Sequence, residues 1–215
     1  MTTRSDLHER MKTILQDSQG ITWNESELDE GLRIALNMYN SVSPHSKQAT
    51  LVMENPGREI SLDSIPGLVG VTEVWWPYDP ETPESPWPPN KVAGFRLWWD
   101  GCKPVLFLSS FKGRLPHTGE TVRVWYACLH TIEGLDGNLT TTVPEADTSL
   151  IVLGAAGFAA SSACLDRGET LQPELLENTA QAWLEEFHNG LDILRLRPDH
   201  NTSEPWGEGW QMDRW

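Results

Sequence analysis

The sequence is poor in cysteine, in basic residues and in long apolar stretches. Its three cysteines, Cys102, Cys128 and Cys164, lie far apart and form no CxxC pair. This spacing argues against a disulfide framework and a zinc site, so they are predicted to be small buried apolar residues. The most apolar stretch, Leu150 to Ala163, is too short to cross a bilayer. The first residues carry no signal-peptide pattern, so we expect synthesis in a cytoplasm and no membrane association.

Basic residues are strongly outnumbered by acidic ones. There are 16 Lys and Arg against 31 Asp and Glu, and residues 145–215 alone carry a net charge of −9 out of −15. Tight DNA binding needs Lys and Arg to displace condensed counterions, so sequence-specific DNA binding is disfavoured. A solvated acidic face is the ordinary interpretation of such a composition. The functional one is a surface past which DNA moves without sticking.

Motifs for catalysis are missing as well. The sequence contains no HExxH, GxSxG, GxxxxGK[ST] or GxGxxG pattern, and no histidine has partners at metal-ligand spacing. The best candidate is a grouping of Cys128, His130 and Asp136. In a continuous strand, however, positions 128 and 130 would share a face without making the thiol reactive. We therefore predict a protein that is not an enzyme, with no catalytic residue, no metal and no cofactor.

Helical periodicity is present at both ends of the chain. A short helix is predicted over 3–17, and a second over 23–42 with a capping box formed by Thr22 and Glu25. A third helix is predicted over 145–166, and Pro173 opens a fourth that runs to about Leu196. The small residues at 154–163 allow another backbone to come close, either inside one subunit or between neighbouring subunits.

Between the second and third helices the period changes to two. Five or six short strands are predicted between Leu51 and about His130, with the following alternating residues: Ile60/Leu62, Val69/Val71, Phe95/Leu97/Trp99, Val105/Phe107 and Val122/Val124/Tyr126. Residues 77–90 hold six prolines and three acids, so they are predicted to form an exposed, extended loop.

These patterns predict an α+β fold. About four helices form an antiparallel bundle, with a β-rich insertion between the second and third helices and an extended C-terminal tail. The predicted parts are an N-terminal helix pair at 1–50, the insertion at 51–135, a C-terminal helix pair at 136–197 and a docking tail at 198–215.

Tryptophan is abundant, with eleven residues, six of them in the β-rich segment. One interpretation is a sugar-stacking surface, and the other is packing combined with subunit contact, which we favour because aromatic rings often anchor interfaces. In both WW pairs, one ring of each pair is expected to face away from the local core. In the tail, Trp206, Trp210 and Trp215 are costly to leave in water, so we predict that they bind a partner.

The ordered set of features resembles a known family. The segments GITWNESELDEGLRIALNMYNSVSP, REISLDSIPGLVGVTEVWWP and VWYACLHTIEGLDGNLTTTVPEADTSLIVLGAAGFAA, followed by the last helix, are similar to tailed-bacteriophage head-tail connector (adaptor) proteins. The resemblance spans about residues 5–196, and its most specific part is HTIEGLDGNLTTTVP. The loop at 77–90 and the Trp-rich tail have no counterpart in that pattern.

This resemblance implies a structural virion protein at the head-tail junction. Its expected partners are the portal protein, tail or nozzle proteins and other copies of itself in a dodecameric ring, with genomic DNA passing through the ring unbound. The acid-rich helical part would then line the DNA channel, with Asp and Glu of the third or fourth helix facing it. The alternatives are a tail completion or terminator protein and, less favoured, a carbohydrate-binding accessory protein.

Overall fold

The computed structural model describes residues 2–81, 90–109, 114–166 and 173–196 of the 215-residue chain. Within these ranges the fold is α+β, as predicted, with the strands between the second and third helices. The elements are α1 (Arg4–Ile14), α2 (Glu25–Val42), β1 (His45–Val52), β2 (Glu59–Ser61), β3 (Leu68–Trp75), β4 (Phe95–Asp100), β5 (Lys103–Leu108), β6 (Thr121–Cys128), α3 (Glu145–Asp166) and α4 (Pro173–Arg195).

The chain divides into two compact units. The helical unit takes Met1–His45 and His130–Pro198, and the β unit takes Ser46–Leu129. In the helical unit, α3 packs against α1, α2 and α4. The apolar residues that recur at helical spacing in α2 form a buried stripe of Leu28, Leu32, Ala35, Leu36 and Tyr39. The corresponding buried residues of α4 are Ala180, Phe187, Leu191 and Leu194. Amphipathic helices gain most of their stability from burying such a stripe.

Small residues set the close approach of these helices. A Cβ atom added to Gly31 of α2 would lie 2.5 Å from the carbonyl oxygen of Ala155 in α3. Cβ atoms added to Gly154 and Gly157 would lie 2.7 Å and 2.9 Å from side-chain atoms of Phe187 and Leu184 in α4. The run at 154–163 therefore serves packing inside the subunit, which was one of its two interpretations.

The apolar part of the third helix is longer than the stretch from Leu150 to Ala163 that the sequence indicated. Over Glu145–Cys164 it is long and apolar enough to cross a membrane by length and composition alone. Of this window, 61% is buried inside the protein, as is typical of the core helix of a soluble protein. The described residues contain no second helix of this kind.

The β unit contains two three-stranded sheets, with strand orders β1-β6-β3 and β2-β5-β4. The pairs β3–β6, β2–β5 and β4–β5 are antiparallel. Both sheets contribute to one apolar core, whose largest members include Trp76, Leu62, Leu106 and Leu108. Strand β5 buries Leu106 and Leu108, whereas the alternating residues picked out from its sequence, Val105 and Phe107, lie on the other face.

Two local predictions were wrong. The capping box of α2 is formed by Asn24 and Glu27 rather than by Thr22 and Glu25, and α2 begins at Glu25. The reason lies upstream, because the carboxylate of Asp17 accepts the backbone N–H groups of residues 21–23 at 2.9–3.0 Å and holds them in a turn. Among the cysteines, Cys128 is buried as predicted and Cys164 is partly buried, but Cys102 is exposed in the turn between β4 and β5.

Candidate interaction surface

The outer face of the sheet β2-β5-β4 exposes aromatic rings beside charged side chains. Its register places Trp98 opposite Val105, and Phe107 between Arg96 on one side and Glu59 on the other. Cross-strand partners share a face, so these five residues form one surface, called the aromatic face below. Trp98 is 67% exposed and Phe107 is 38% exposed. Large rings this open are typical of a surface that another molecule covers.

Charged groups surround the apolar centre of the aromatic face. The guanidinium of Arg58 lies 5.9 Å from the ring centroid of Phe107, within range of a cation–π contact. At the β4–β5 turn, Asp100 pairs in register with Lys103, whose Nζ lies 3.9 Å from a carboxylate oxygen of Asp63. An apolar centre with a polar rim is the usual composition of a protein–protein contact.

The two WW pairs differ in their surroundings. Trp98 lies on the outer face and Trp99 on the opposite face of the same strand, at the sheet's end, where it is 48% exposed. In the other pair, Trp76 is fully buried and its indole N–H donates to Glu120 at 3.1 Å. Its neighbour Trp75 is partly exposed, so one ring of each pair turns away from the core, as predicted.

A second aromatic cluster lies on the sheet β1-β6-β3. The ring centroids of Trp75 and Trp125 are 4.1 Å apart. The guanidinium of Arg123 lies 5.3 Å from the centroid of Trp125 and 4.9 Å from that of Tyr78, and it donates to Gln48 at 3.1 Å. Because the arginine covers Trp125 and Tyr78, these two rings are poorly placed to stack on a sugar. The cluster fills space on the sheet, which favours the packing interpretation of the tryptophans.

His130 is held in a buried polar network. Its backbone N–H donates to Asn40 at 2.7 Å, its Nδ1 lies 3.2 Å from the hydroxyl of Thr142, and its ring centroid is 5.0 Å from that of His45. Burial, and then the neighbouring His45, lower the pKa of His130 to about 4. The ring is therefore neutral at pH 7, and its contacts belong to the structure of the helical unit.

The other two members of the candidate grouping rejected above, Asp136 and Cys128, have structural roles too. Both Nε and one terminal nitrogen of Arg33 donate to a single oxygen of Asp136, at 2.9 Å and 2.8 Å. Cys128 is part of the apolar core of the β unit. No group of three or more His, Cys, Asp or Glu residues that could hold a metal occurs in the described part of the chain.

Exposed acids concentrate on α4. Glu174, Glu177, Glu185, Glu186 and Asp192 are all exposed, and Arg195 is the single basic residue within this helix. On α3, by contrast, Asp147 is buried and accepts a hydrogen bond of 2.8 Å from the hydroxyl of Tyr39. An acidic channel wall would therefore be formed by α4 rather than by Asp147. The predicted partner-binding residues Trp206, Trp210 and Trp215 lie outside the described residues.

Sequence patterns missed two features of these surfaces. The polar network around His130 joins residues from α2 and from the segment before α3, which no local pattern connects. The aromatic face was missed because both sides of β5 are apolar, so period two does not say which side is buried. The aromatic face could have been predicted from β5 being apolar on both sides, because one side of such a strand stays exposed when its sheet packs on one side only.

No family model matches the sequence, and no curated protein matches it. Among solved structures, the chain is similar to one in a structure described as "Neck of empty GTA particle computed with C6 symmetry". That chain is 16% identical, with a TM-score of 0.32, and the match covers 72% of this chain and 76% of that one. A likeness of this size carries no argument about function.

Proposed function

We propose that this protein is a structural subunit of a phage-like particle, a head-tail connector that forms a ring on the portal. The observation that carries the proposal is the aromatic face, where Trp98 and Phe107 are exposed within a charged rim. Such a face fits contact with another protein. The sequence resemblance to connector proteins supplies the kind of assembly, and the helical unit with strands between its second and third helices is the architecture that this resemblance implies.

The finer features of the proposal follow from charge and from the tail. In a dodecameric ring, the exposed acids of α4 would line the DNA channel, because like charge keeps the DNA backbone from sticking. Trp206, Trp210 and Trp215 would dock on the portal or on an adjacent subunit as aromatic anchors. The protein would be located at the head-tail junction of the virion, in contact with tail or nozzle proteins on its other side.

The direct test is native mass spectrometry of the full chain mixed with its portal protein. We expect a complex with twelve copies of this chain, and a loss of at least tenfold in occupancy for the variant Trp98→Ser/Phe107→Ser. The matched control is Leu139→Ser, because Leu139 is 88% exposed in the helical unit and lies outside the aromatic face. Both variants change exposed side chains, so far-UV circular dichroism should match that of the wild type.

Three outcomes would count against the proposal. If the chain bound the end of a tail tube and not the portal, it would be a tail completion or terminator protein instead. If the Trp98→Ser/Phe107→Ser variant joined the particle at wild-type occupancy, the aromatic face would not be a subunit contact. Binding of glycans by the monomer, lost in the same variant, would favour a carbohydrate-binding accessory protein.

A further inference from the structure

Helix α4 has an exposed apolar side in addition to the side that packs into the helical unit. Leu175, Ala182 and Ile193 are all exposed, and the exposed fractions of Leu175 and Ile193 are 64% and 62%. Successive residues of a helix are about 100° apart, so these three side chains lie within about 20° of one another around α4. Apolar residues aligned in this way along an exposed helix are typical of a surface that another molecule covers.

One acid lies on this apolar side of α4. Glu186 is exposed and follows Ala182 by four residues, which is about one helical turn. Together with the three apolar residues it is called the outer stripe below. The exposed acids Glu174, Glu185 and Asp192 lie at least about 100° away from Glu186 around the helix. The outer stripe is therefore an apolar surface with one negative charge, separate from the acidic side of α4.

The aromatic face of the β unit is complementary to the outer stripe along β4. Arg96 and Trp98 lie on the same face of this strand, and Phe107 lies beside Arg96 on β5. The acid of the aromatic face, Glu59, lies beyond Phe107 on β2. Arg96 and Glu186 are both exposed, and neither makes an ion pair within the described part of the chain. Each is therefore available to an opposite charge on another molecule.

The two surfaces also match in length and spacing. Between Ala182 and Ile193 the helix rises about 16 Å at ~1.5 Å per residue. The six residues of β4 span about 17 Å at ~3.4 Å per residue. Trp98 lies about 7 Å along β4 from Arg96, close to the ~6 Å between Ala182 and Glu186 on α4. With α4 antiparallel to β4, a charge pair at Arg96 therefore brings the indole of Trp98 over the small side chain of Ala182.

We propose that the outer stripe of α4 docks on the aromatic face of a second copy of this chain, with Glu186 paired to Arg96 of that copy. Each copy then offers α4 to one neighbour and its aromatic face to the other, which is a heterologous contact. Contacts of this kind close into a ring when the rotation between copies allows it. The inference rests on the proposed ring assembly and names the partner of the aromatic face within it. The acidic side of α4 stays uncovered in this contact.

Charge reversal in the full-length chain tests this contact without a portal. Sedimentation equilibrium at rising protein concentration measures the self-association. We expect Arg96→Glu and Glu186→Arg each to weaken it about tenfold or more, because like charges then meet in the contact. An equimolar mixture of the two variants should regain wild-type association, since every contact between unlike copies again joins opposite charges.

Two matched controls carry the same changes in net charge. Lys47→Glu and Glu185→Arg alter exposed residues outside the two surfaces, so association should stay at the wild-type level.

Three results would overturn the proposed contact. A wild-type chain that stays monomeric up to about 1 mM would show that these surfaces do not join copies. Equal weakening by the controls would assign the association to overall charge. A mixture that does not regain association, although both variants keep the wild-type far-UV circular dichroism, would place the contact elsewhere. Attachment to the portal is measured separately, so the aromatic face could then still bind the portal and the proposed function would stand.

Discussion

The helical unit and the β unit pack with residues of different size, small ones in the helical unit and large aromatic ones in the β unit. In the helical unit, glycine and alanine bring backbones together, so that a single Cβ at Gly31 would meet the carbonyl oxygen of Ala155 at 2.5 Å. In the β unit, Gly57, Gly67 and Gly70 have no atom within 4 Å of an added Cβ, and large aromatic rings occupy the sheet faces. The helical unit therefore owes its shape to close backbone contacts, whereas the β unit exposes aromatic rings on a sheet face.

The helical unit is also distinguished by pairs of buried polar side chains. The helical unit buries His8 against Asp29, at 3.0 Å, and Tyr39 against Asp147, at 2.8 Å. Burial raises the pKa of Asp29, whereas the hydrogen bonds and charges of Arg4 and His8 lower it. The second influence is the larger in sum, so the pKa of Asp29 is lowered. Networks of this kind select one arrangement of helices, because a half-satisfied network is costly.

Within the helical unit, the largest expected effect is where Gly31 of α2 meets the backbone of α3. Gly31→Ala should lower the free energy of unfolding by about 3 kcal/mol, because the overpacking at the Ala155 carbonyl outweighs the gain of about 1 kcal/mol in helix propensity. Chemical denaturation of the full chain measures this. Gly70→Ala in β3 is the matched control, with an expected change below ~0.5 kcal/mol. Equal effects at the two positions would remove the contrast between the units.

The next effect comes from a buried hydrogen bond. Tyr39→Phe removes the donor to Asp147 and should cost about 2 kcal/mol, because a buried carboxylate loses a partner. The control is Tyr126→Phe in the β unit, since the hydroxyl of Tyr126 has no hydrogen-bond partner among the described residues. Its expected cost is below ~0.5 kcal/mol. If both substitutions lowered the free energy of unfolding equally, the buried polar network would not be a difference between the helical unit and the β unit.

The pH dependence of stability should arise mainly in the helical unit. The pKa of His130 is about 4 in the folded protein and 6.5 in the unfolded chain. The unfolded chain therefore binds more protons than the folded protein between pH 4 and pH 6.5. Stability is therefore fully present above pH 6.5 and decreases as the pH falls toward 4.

The free energy of unfolding should fall less between pH 6.5 and pH 5 in His130→Gln than in the wild type. The expected difference is about 1.5 kcal/mol, at 1.36 kcal/mol per pKa unit. Denaturation curves at the two pH values measure it. A smaller slope remains because burial also lowers the pKa of His8. An unchanged slope in His130→Gln would show that this ring is not the main proton-linked group.

The sequence predicted the fold class and the helices because these depend on local periodicity. The stripe of α2, from Leu28 to Tyr39, is buried as its spacing indicated, and α3 has the bounds predicted for it. The start of α2 was misplaced because Asp17, in the preceding turn, binds the backbone of Thr22 and delays the helix to Glu25. That interaction has no periodic signature.

The candidate surface was less predictable from the sequence than the fold. Tryptophan content indicated that aromatic rings meet a partner, but not which rings. Trp125 is covered by Arg123 and lies against Trp75, whereas Trp98 is open. This distinction depends on which strands pair and which face of each sheet is covered, and those are long-range properties of the fold.

The smallest expected effect on stability is at the aromatic face of the β unit. Trp98→Ser should change the free energy of unfolding by less than about 0.5 kcal/mol, because the ring is 67% exposed and gives up little buried area. Trp76→Ser, at the buried ring, should cost at least 3 kcal/mol by creating a cavity. Denaturant unfolding of the two variants compares them directly. A cost at Trp98 near that at Trp76 would mean that the exposed ring supports the β unit itself. Its role as a contact for another molecule would then have to be abandoned.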